Sequence, residues 1–139
     1  MSGYSGTPLP RKLGLPASGR AAFVDAPPGY RESISPLPPG LRVLARPGPG
    51  MDFLHLFAAD RRALERRLPR LAAALAFDGT LWVSWPKKAS GVGTDLDRDS
   101  VRAAGLRAGL VDVKICSIDA TWSGLKFVYR LEDRPGDRH

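Results

Sequence analysis

Cysteine and histidine are scarce in this sequence of 139 residues, which contains one cysteine, Cys116, and two histidines, His55 and His139. A single cysteine excludes an internal disulfide and is typical of a reducing compartment. One cysteine and two distant histidines do not make a zinc site, so we predict no metal and no catalytic residues of the Ser–His or Cys–His kind. His55 falls inside an apolar run and is expected to be a core histidine with satisfied ring nitrogens.

Long apolar runs are also missing. No stretch reaches the roughly 18 apolar residues that predict a membrane-spanning helix. The first twenty residues lack the apolar core of a secretory signal. The sequence therefore predicts a cytoplasmic protein with no membrane partner.

Acidic residues are outnumbered by basic ones. The chain has 14 Asp and Glu against 21 Lys and Arg, a formal net charge of +7. Such an excess attracts anions over long distances. We expect the partner to be an anionic small molecule or a protein, with nucleic acid as an alternative.

Strand and helix patterns alternate along the chain. Short apolar or alternating runs predict strands at 20–24, 41–45, 51–59 and 80–85, and two more within 110–119 and 123–131. Leucines at helical spacing predict a helix capped by Asp60, with Pro69 causing a kink or a late restart. Gly79 is predicted at the C-terminal cap of that helix. A second helix is predicted at 99–108, capped by Asp97 or Asp99 and ended by Gly109.

This alternation predicts one α/β domain with a mostly parallel sheet and a C-terminal antiparallel hairpin. We place the domain at 21–131, between an N-terminal arm at 1–20 and a disordered tail at 132–139. The connection from the strand at 41–45 to the next is short, whereas a parallel crossover usually needs a dozen or more residues. Either that strand runs antiparallel or the "RPGPG" loop crosses fully extended.

The sequence resembles two known families. The run "LAAALAFDGTLWVSWP" resembles the helix, glycine turn and strand of class I methyltransferase-type Rossmann domains, and residues 99–131 are similar to the end of that fold. The resemblance implies a small three-layer, Rossmann-like fold whose last strand inserts antiparallel. From "GYSGTPL" through "WPKKASG" to "TWSGLKFVYR", residues 3–131 also resemble a bacterial family known as a domain of unknown function.

The cofactor-holding residues of methyltransferases are where this sequence departs from the resemblance. The loop "VDAPPGY" keeps Asp25 and Gly29, but Pro27 and Pro28 stand where free amide donors are wanted. Arg46 stands where the resemblance implies an acid for the ribose hydroxyls.

We therefore predict a degenerate methyltransferase-like fold with no cofactor, acting as a non-catalytic ligand-sensing or protein-interaction module. One alternative is a divergent transferase with an adenosyl or phosphate-bearing ligand, in which Asp25 or Asp60 would be the base. A second alternative is a basic nucleic-acid-binding protein.

Ligands of open α/β sheets bind beyond the carboxyl ends of the strands. At that edge, Lys87 and Lys88 would contact an anion, and Trp85 or Trp122 would stack on a planar ring. The alternative is that the two lysines mark the solvated end of a strand and that the tryptophans belong to the core. The predicted ligand-binding residues are Asp25, Tyr30, Trp85, Lys87, Lys88, Ser90, Thr94 and Trp122.

A stripe of arginines carries the nucleic-acid alternative. Arg62, Arg66 and Arg70 repeat at helical spacing and would track a phosphate backbone. No aromatic residues are interleaved with them. We expect this stripe to be the solvated face of an amphipathic helix.

Overall fold

A six-stranded sheet with helices on both faces forms the part of the chain that the computed structural model describes, residues 7–133. The helices are α1 (Leu9–Leu13), α2 (Tyr30–Ser33), α3 (Arg61–Ala74) and α4 (Arg98–Arg107). The strands are β1 (Ser18–Val24), β2 (Gly40–Val43), β3 (Met51–Phe57), β4 (Leu75–Pro86), β5 (Leu110–Ser117) and β6 (Trp122–Tyr129).

The strand order is β2-β1-β3-β4-β6-β5. The first four strands in that order pair in parallel, and β6 is antiparallel to both β4 and β5. This arrangement confirms the predicted α/β class, with its mostly parallel sheet and C-terminal antiparallel hairpin.

The direction of β2 decides between the two alternatives left open by the short connection. β2 is parallel to β1, so residues 44–50 cross past β1 to reach β3 without a helix. The crossing is held by the Leu44 N–H, which donates to the Ala21 carbonyl at 2.8 Å, and by Arg20, which donates to the Pro49 carbonyl. The antiparallel alternative is wrong: the short connection makes the parallel crossing, with bends at residues 45–46 and a turn at 49–50 in place of a fully extended path.

Each face of the sheet has its own core. On one face α3 and α4 cover a cluster that includes Leu54, Leu64, Leu68, Leu81, Val83, Val101 and Phe127. On the other face, the N-terminal helices cover Phe53, Phe57 and Trp82.

The N-terminal segment contributes to the second core. Leu13 of α1 is fully buried, and its carbonyl accepts the Trp82 indole N–H at 2.9 Å. Residues 7–20, expected as an arm over the domain, thus reach its interior, and β1 begins at Ser18. Residues 1–6 of the expected arm and 134–139 of the expected tail lie outside the described residues, while Leu131–Asp133 form a short 3-10 helix.

The two long helices begin where the sequence predicts. The Asp60 carboxylate accepts the Ala63 N–H at 2.8 Å, and Asp97 forms a capping box with Ser100. α3 continues through Pro69, so the predicted restart is not found. At 14 residues α3 is the longest helix described, and none within residues 7–133 has the length and apolar character to span a bilayer.

The prediction for Gly79 is wrong. α3 ends at Ala74 with an extended C-cap, Leu75, and the chain passes directly into β4. A Cβ on Gly79 would lie 2.8 Å from the Met51 carbonyl oxygen. The glycine is therefore required by a close approach of β3 and β4, where their register shifts, and not by a helix cap.

Gly105 is required where α4 packs on β6. A Cβ at this position would overlap the ring of Phe127, which is fully buried, so either the ring or the helix must shift. We expect Gly105→Ala to lower the free energy of unfolding by about 1–3 kcal/mol through overpacking, despite the better helix propensity of alanine. Urea denaturation measures this. Gly93→Ala is the matched control, since nothing lies within 4 Å of its Cβ position; equal stability of both variants would contradict the packing argument.

Candidate functional site

The sheet has a topological switch point between β1 and β3. The chain leaves β1 towards β2 on one side, and leaves β3 towards β4 on the other. Open α/β sheets bind ligands in the crevice outside the carboxyl ends of such strands. The residues that follow these two strands are 25–29 and 58–60, which we call the switch-point site.

Asp25 begins the loop after β1 in an unusual backbone conformation. Its φ is 57°, in the left-handed region that aspartate tolerates better than most residues. Its carboxylate oxygen lies 2.7 Å from Nε of Arg67 on α3. Because both side chains are partly exposed, the ion pair orients the carboxylate more than it stabilises the fold. The sequence did not indicate this ion pair, since only tertiary packing brings α3 to this loop.

Gly29 ends the same loop with its backbone open to solvent. Its φ is 88°, which favours glycine, and a Cβ there would meet nothing within 4 Å. Pro27 and Pro28 lack N–H groups, so the loop offers few donors, but its backbone is accessible at Gly29.

Tyr30, predicted to contact a ligand, has its hydroxyl in the core. Only 4% of the residue is exposed, and the hydroxyl lies 2.7 Å from Nδ1 of His55. Nε2 of His55 lies 2.7 Å from Oγ of Ser84, and both residues are fully buried. This corrects the placement of Tyr30. A buried imidazole needs partners for both nitrogens, and the tyrosine hydroxyl is one of them.

Burial keeps this buried chain of Tyr30, His55 and Ser84 uncharged. Burial lowers the pKa of His55 to about 3 and raises that of the Tyr30 hydroxyl well above its usual range. With imidazole protonated on Nε2, Tyr30 donates to Nδ1 and Nε2 donates to Ser84. Since Tyr30 directly follows Gly29, the hydrogen bonds that link Tyr30, His55 and Ser84 attach the β1–α2 loop to β3 and β4. The expectation of a satisfied core histidine is confirmed.

The adjacent lysines after β4 separate. Lys87 turns to the β5–β6 hairpin: its N–H donates to the Thr121 carbonyl at 2.7 Å and its ammonium donates to Oγ of Ser117 at 2.6 Å. Lys88 is exposed and opens a 3-10 turn, Lys88–Ser90. The two lysines therefore do not form a joint site.

The predicted hydroxyl contacts serve their own loop. Oγ of Ser90 donates to the Lys87 carbonyl at 2.6 Å, and Oγ1 of Thr94 accepts the Leu96 N–H at 3.1 Å. Such local bonds shape a turn and are typical of serine and threonine in loops.

The two predicted stacking tryptophans have different surroundings. Trp85 is 5% exposed and belongs to the core under α3 and α4, because strand alternation turns it away from the other face. It is therefore not a stacking platform. Trp122 is half-buried at the carboxyl edge and packs edge-on against Phe57, with ring centroids 5.1 Å apart.

The arginine stripe lies on the solvated face of α3. Arg62, Arg66 and Arg70 are exposed, and the buried leucines of the helix occupy the opposite face. A cleft of about 320 Å³ also lies on this side, between α3 and α4, lined by Glu65, Leu68, Pro69, Ala104, Arg107 and Ala108. None of these residues belongs to the switch-point site, which rests on topology and not on cavity size.

Several solved structures that share this fold are methyltransferases. CalO1, a methyltransferase in calicheamicin biosynthesis in its SAH-bound form, is 15% identical with a TM-score of 0.65, over 88% of this chain and 52% of its own. A TehB-like SAM-dependent methyltransferase from Corynebacterium glutamicum is 12% identical with a TM-score of 0.55, over 92% of this chain and 90% of its own. Magnesium protoporphyrin IX methyltransferase from Synechocystis, with SAH bound, is 11% identical with a TM-score of 0.59, over 86% and 77%.

These similarities show a methyltransferase-like Rossmann fold. The chain spans about half the length of CalO1, 52%. No family model and no curated protein sequence matches the chain. The resemblance to a bacterial domain-of-unknown-function family therefore stays a prediction.

The structural neighbours also correct two predictions. The interpretation as a non-catalytic ligand-sensing or protein-interaction module is wrong, because the three structures just described, which share the fold, are methyltransferases. The prediction of no cofactor is wrong for a related reason, since CalO1 and the Synechocystis enzyme carry SAH. Both predictions rested on Pro27, Pro28 and Arg46, which differ from what the methyltransferase resemblance implies at those positions. These differences leave the fold itself unchanged.

The buried histidine makes stability depend on pH. The pKa of His55 is about 3 in the folded protein against 6.5 ordinarily, so between these values the unfolded chain binds a proton that the folded one does not. The contribution of His55 to the free energy of unfolding is complete above about pH 6.5. It decreases as the pH falls towards 3, by up to about 1.4 kcal/mol per pH unit. We expect His55→Gln to remove this part of the slope in denaturant titrations between about pH 4 and 6.

The control keeps the histidine and removes its partner. Tyr30→Phe should lose about 1–3 kcal/mol at every pH, because His55 Nδ1 is left without its donor, yet keep the pH slope. An unchanged slope in His55→Gln would show that the acid sensitivity comes from other groups.

Proposed function

We propose that this protein is an S-adenosylmethionine-dependent methyltransferase that binds the adenosyl ligand at the switch-point site. The observation that carries the proposal is the strand order, with β6 inserted antiparallel between β4 and β5. The methyltransferases that share this fold support it, two of them with SAH bound.

The residues at the switch point fit such a ligand. The Asp25 carboxylate, partly exposed and oriented by Arg67, can accept hydrogen bonds from a ribose hydroxyl or from the amino group. The open backbone at Gly29 allows close approach. Arg46 is exposed after β2 and supplies only hydrogen-bond donors. The acceptor at this site is therefore Asp25, in the loop after β1, in place of a carboxylate after β2.

Bound S-adenosylmethionine would supply an activated methyl group on its sulfonium. The chain's contribution is then to hold the ligand and to take up the proton that the methyl acceptor releases. Asp60 follows β3 at the same crevice, and its Oδ1 accepts the Ala63 N–H at 2.8 Å. We assign the proton to Oδ2 of Asp60, the carboxylate oxygen that does not cap α3.

Binding of SAH tests the site separately from turnover. We expect calorimetry to show SAH binding to the natural chain, and about tenfold weaker binding to Asp25→Asn, because a charge-assisted hydrogen bond is replaced by a neutral one. Asp112→Asn is the matched control: Asp112 also pairs with an arginine, Arg102 at 3.0 Å, but on β5. Absence of SAH binding to the natural chain would overturn the proposal, and equal affinity in both variants would move the ligand away from Asp25.

Asp60→Asn separates catalysis from folding. Asparagine caps a helix about as well as aspartate, so stability and SAH affinity should stay unchanged. Transfer of a labelled methyl group from S-adenosylmethionine into a small-molecule cell extract should fall at least a hundredfold, about the usual contribution of a general base. Full transfer by this variant would remove Asp60 from the reaction.

A further inference from the structure

The loop between β1 and α2 depends on contacts at its two ends. Pro27 and Pro28 have no N–H to donate, so the loop has little capacity for internal hydrogen bonds. Its first residue, Asp25, and its last, Gly29, both have left-handed backbone, with φ of 57° and 88°. Arg67 orients the first residue through an ion pair. The last residue directly precedes Tyr30, whose side chain leaves the loop and enters the core.

Tyr30 is fixed by the two strands that define the switch point. Only 4% of the residue is exposed. Its ring packs edge-on against Phe23 of β1, with centroids 5.2 Å apart, and against Phe57 of β3, with centroids 4.9 Å apart. Its hydroxyl lies 2.7 Å from Nδ1 of His55, also on β3. The end of the loop is therefore attached to both strands beside the crevice.

The hydrogen bond adds a direction that ring packing does not supply. Apolar contacts are non-directional, whereas the hydroxyl must meet Nδ1 at a fixed distance and angle. His55 cannot follow a displaced tyrosine, because its Nε2 lies 2.7 Å from Oγ of Ser84 on β4. The bond thus sets how deeply the Tyr30 ring lies in the core, and with it the position of Gly29.

We propose that Tyr30 is a positioning residue of the switch-point site. Its hydrogen bond to His55 holds residues 25–29 in the conformation in which Asp25 and Gly29 meet the adenosyl ligand. Tyr30 acts through the loop and not by contact, because its hydroxyl lies in the core. This inference rests on the proposed function, which supplies the ligand. When fewer molecules have the competent loop conformation, the apparent Kd rises by the same factor.

Tyr30→Phe and Ser84→Ala form a matched pair, because they remove opposite ends of the same buried chain. Each leaves one nitrogen of His55 without its partner, so each should unfold at a lower temperature than the natural chain. Only Tyr30→Phe releases the loop. We expect calorimetry to show about tenfold weaker SAH binding to Tyr30→Phe, which corresponds to a competent population of about one tenth. Ser84→Ala should bind SAH like the natural chain.

A double variant tests whether Tyr30 acts through Asp25. Tyr30→Phe and Asp25→Asn are each expected to weaken SAH binding about tenfold, so independent effects would multiply to about a hundredfold. We expect the combined variant to lose clearly less than that, because a carboxylate that is no longer positioned has less affinity to lose. A full hundredfold loss would show that Tyr30 acts independently of Asp25 and would contradict the proposal.

Amide hydrogen exchange tests the loop without any ligand. The Tyr30 N–H donates to the Pro27 carbonyl at 3.2 Å, and the Ser33 N–H donates to the Gly29 carbonyl at 3.0 Å. We expect both amides to exchange about ten times faster in Tyr30→Phe than in Ser84→Ala, because local opening of the loop depends on the anchor and not on overall stability.

The outcomes separate this inference from the proposed function. If SAH binds equally to Tyr30→Phe and the natural chain, or equally weakly to both single variants, the inference is overturned and the proposed function stands. Equal exchange of the Tyr30 and Ser33 amides in the two variants also overturns the inference alone. Absence of SAH binding to the natural chain overturns both.

Discussion

The antiparallel fit of β6 against β4 is the constraint on which the rest of the structure depends. At Gly124 of β6 a Cβ would lie 2.8 Å from Ile118 and 3.1 Å from the ring of Trp82. With no side chain there, the Trp82 indole fills the space over β6 and its N–H reaches the Leu13 carbonyl. This hydrogen bond acts together with the burial of Leu13 to hold α1 on the sheet. A glycine in the last strand thus positions the first helix.

A second constraint acts through polar groups in the core. His55 lies on β3 between Phe53 and Phe57, which are both buried, and it can be accommodated there only if both ring nitrogens find partners. Ser84 satisfies one nitrogen from the neighbouring strand, and Tyr30 satisfies the other from the loop that leaves β1. The loop at the switch point is therefore held by a bond to the middle of the sheet, and the prolines within it need supply no further rigidity.

The fold was predictable from sequence where a pattern depends on neighbours along the chain. The caps at Asp60 and Asp97, the helix at α4 and the closing hairpin follow from residue type and spacing. Gly79 was misassigned because a glycine required by a close strand approach has the same sequence signal as a helix cap. The direction of β2 was left undecided for a similar reason, since strand pairing depends on two segments that are distant in the sequence.

The candidate site was less predictable, because its contacts are all long-range. The sequence indicated Asp25 but not its pairing with Arg67, and it grouped Lys87 with Lys88 because they are adjacent. Trp85 and Tyr30 were assigned to the ligand edge from their proximity to strand ends. Both side chains point into the core instead. Trp85 does so because of its position in the alternation of β4, and Tyr30 because its hydroxyl contacts the buried His55.

β5 forms one border of the sheet, and this position has a consequence for the behaviour of the protein in solution. The strand exposes unpaired backbone groups together with two apolar side chains, Val113 at 54% and Ile115 at 43% exposure. Such a border is a template for pairing with another chain, and lysine on an edge strand is a common protection against it. Lys114 lies between the two apolar residues, so we expect repulsion between lysines to oppose such pairing at low ionic strength. Because salt screens this charge, we expect any self-association through β5 to increase with ionic strength.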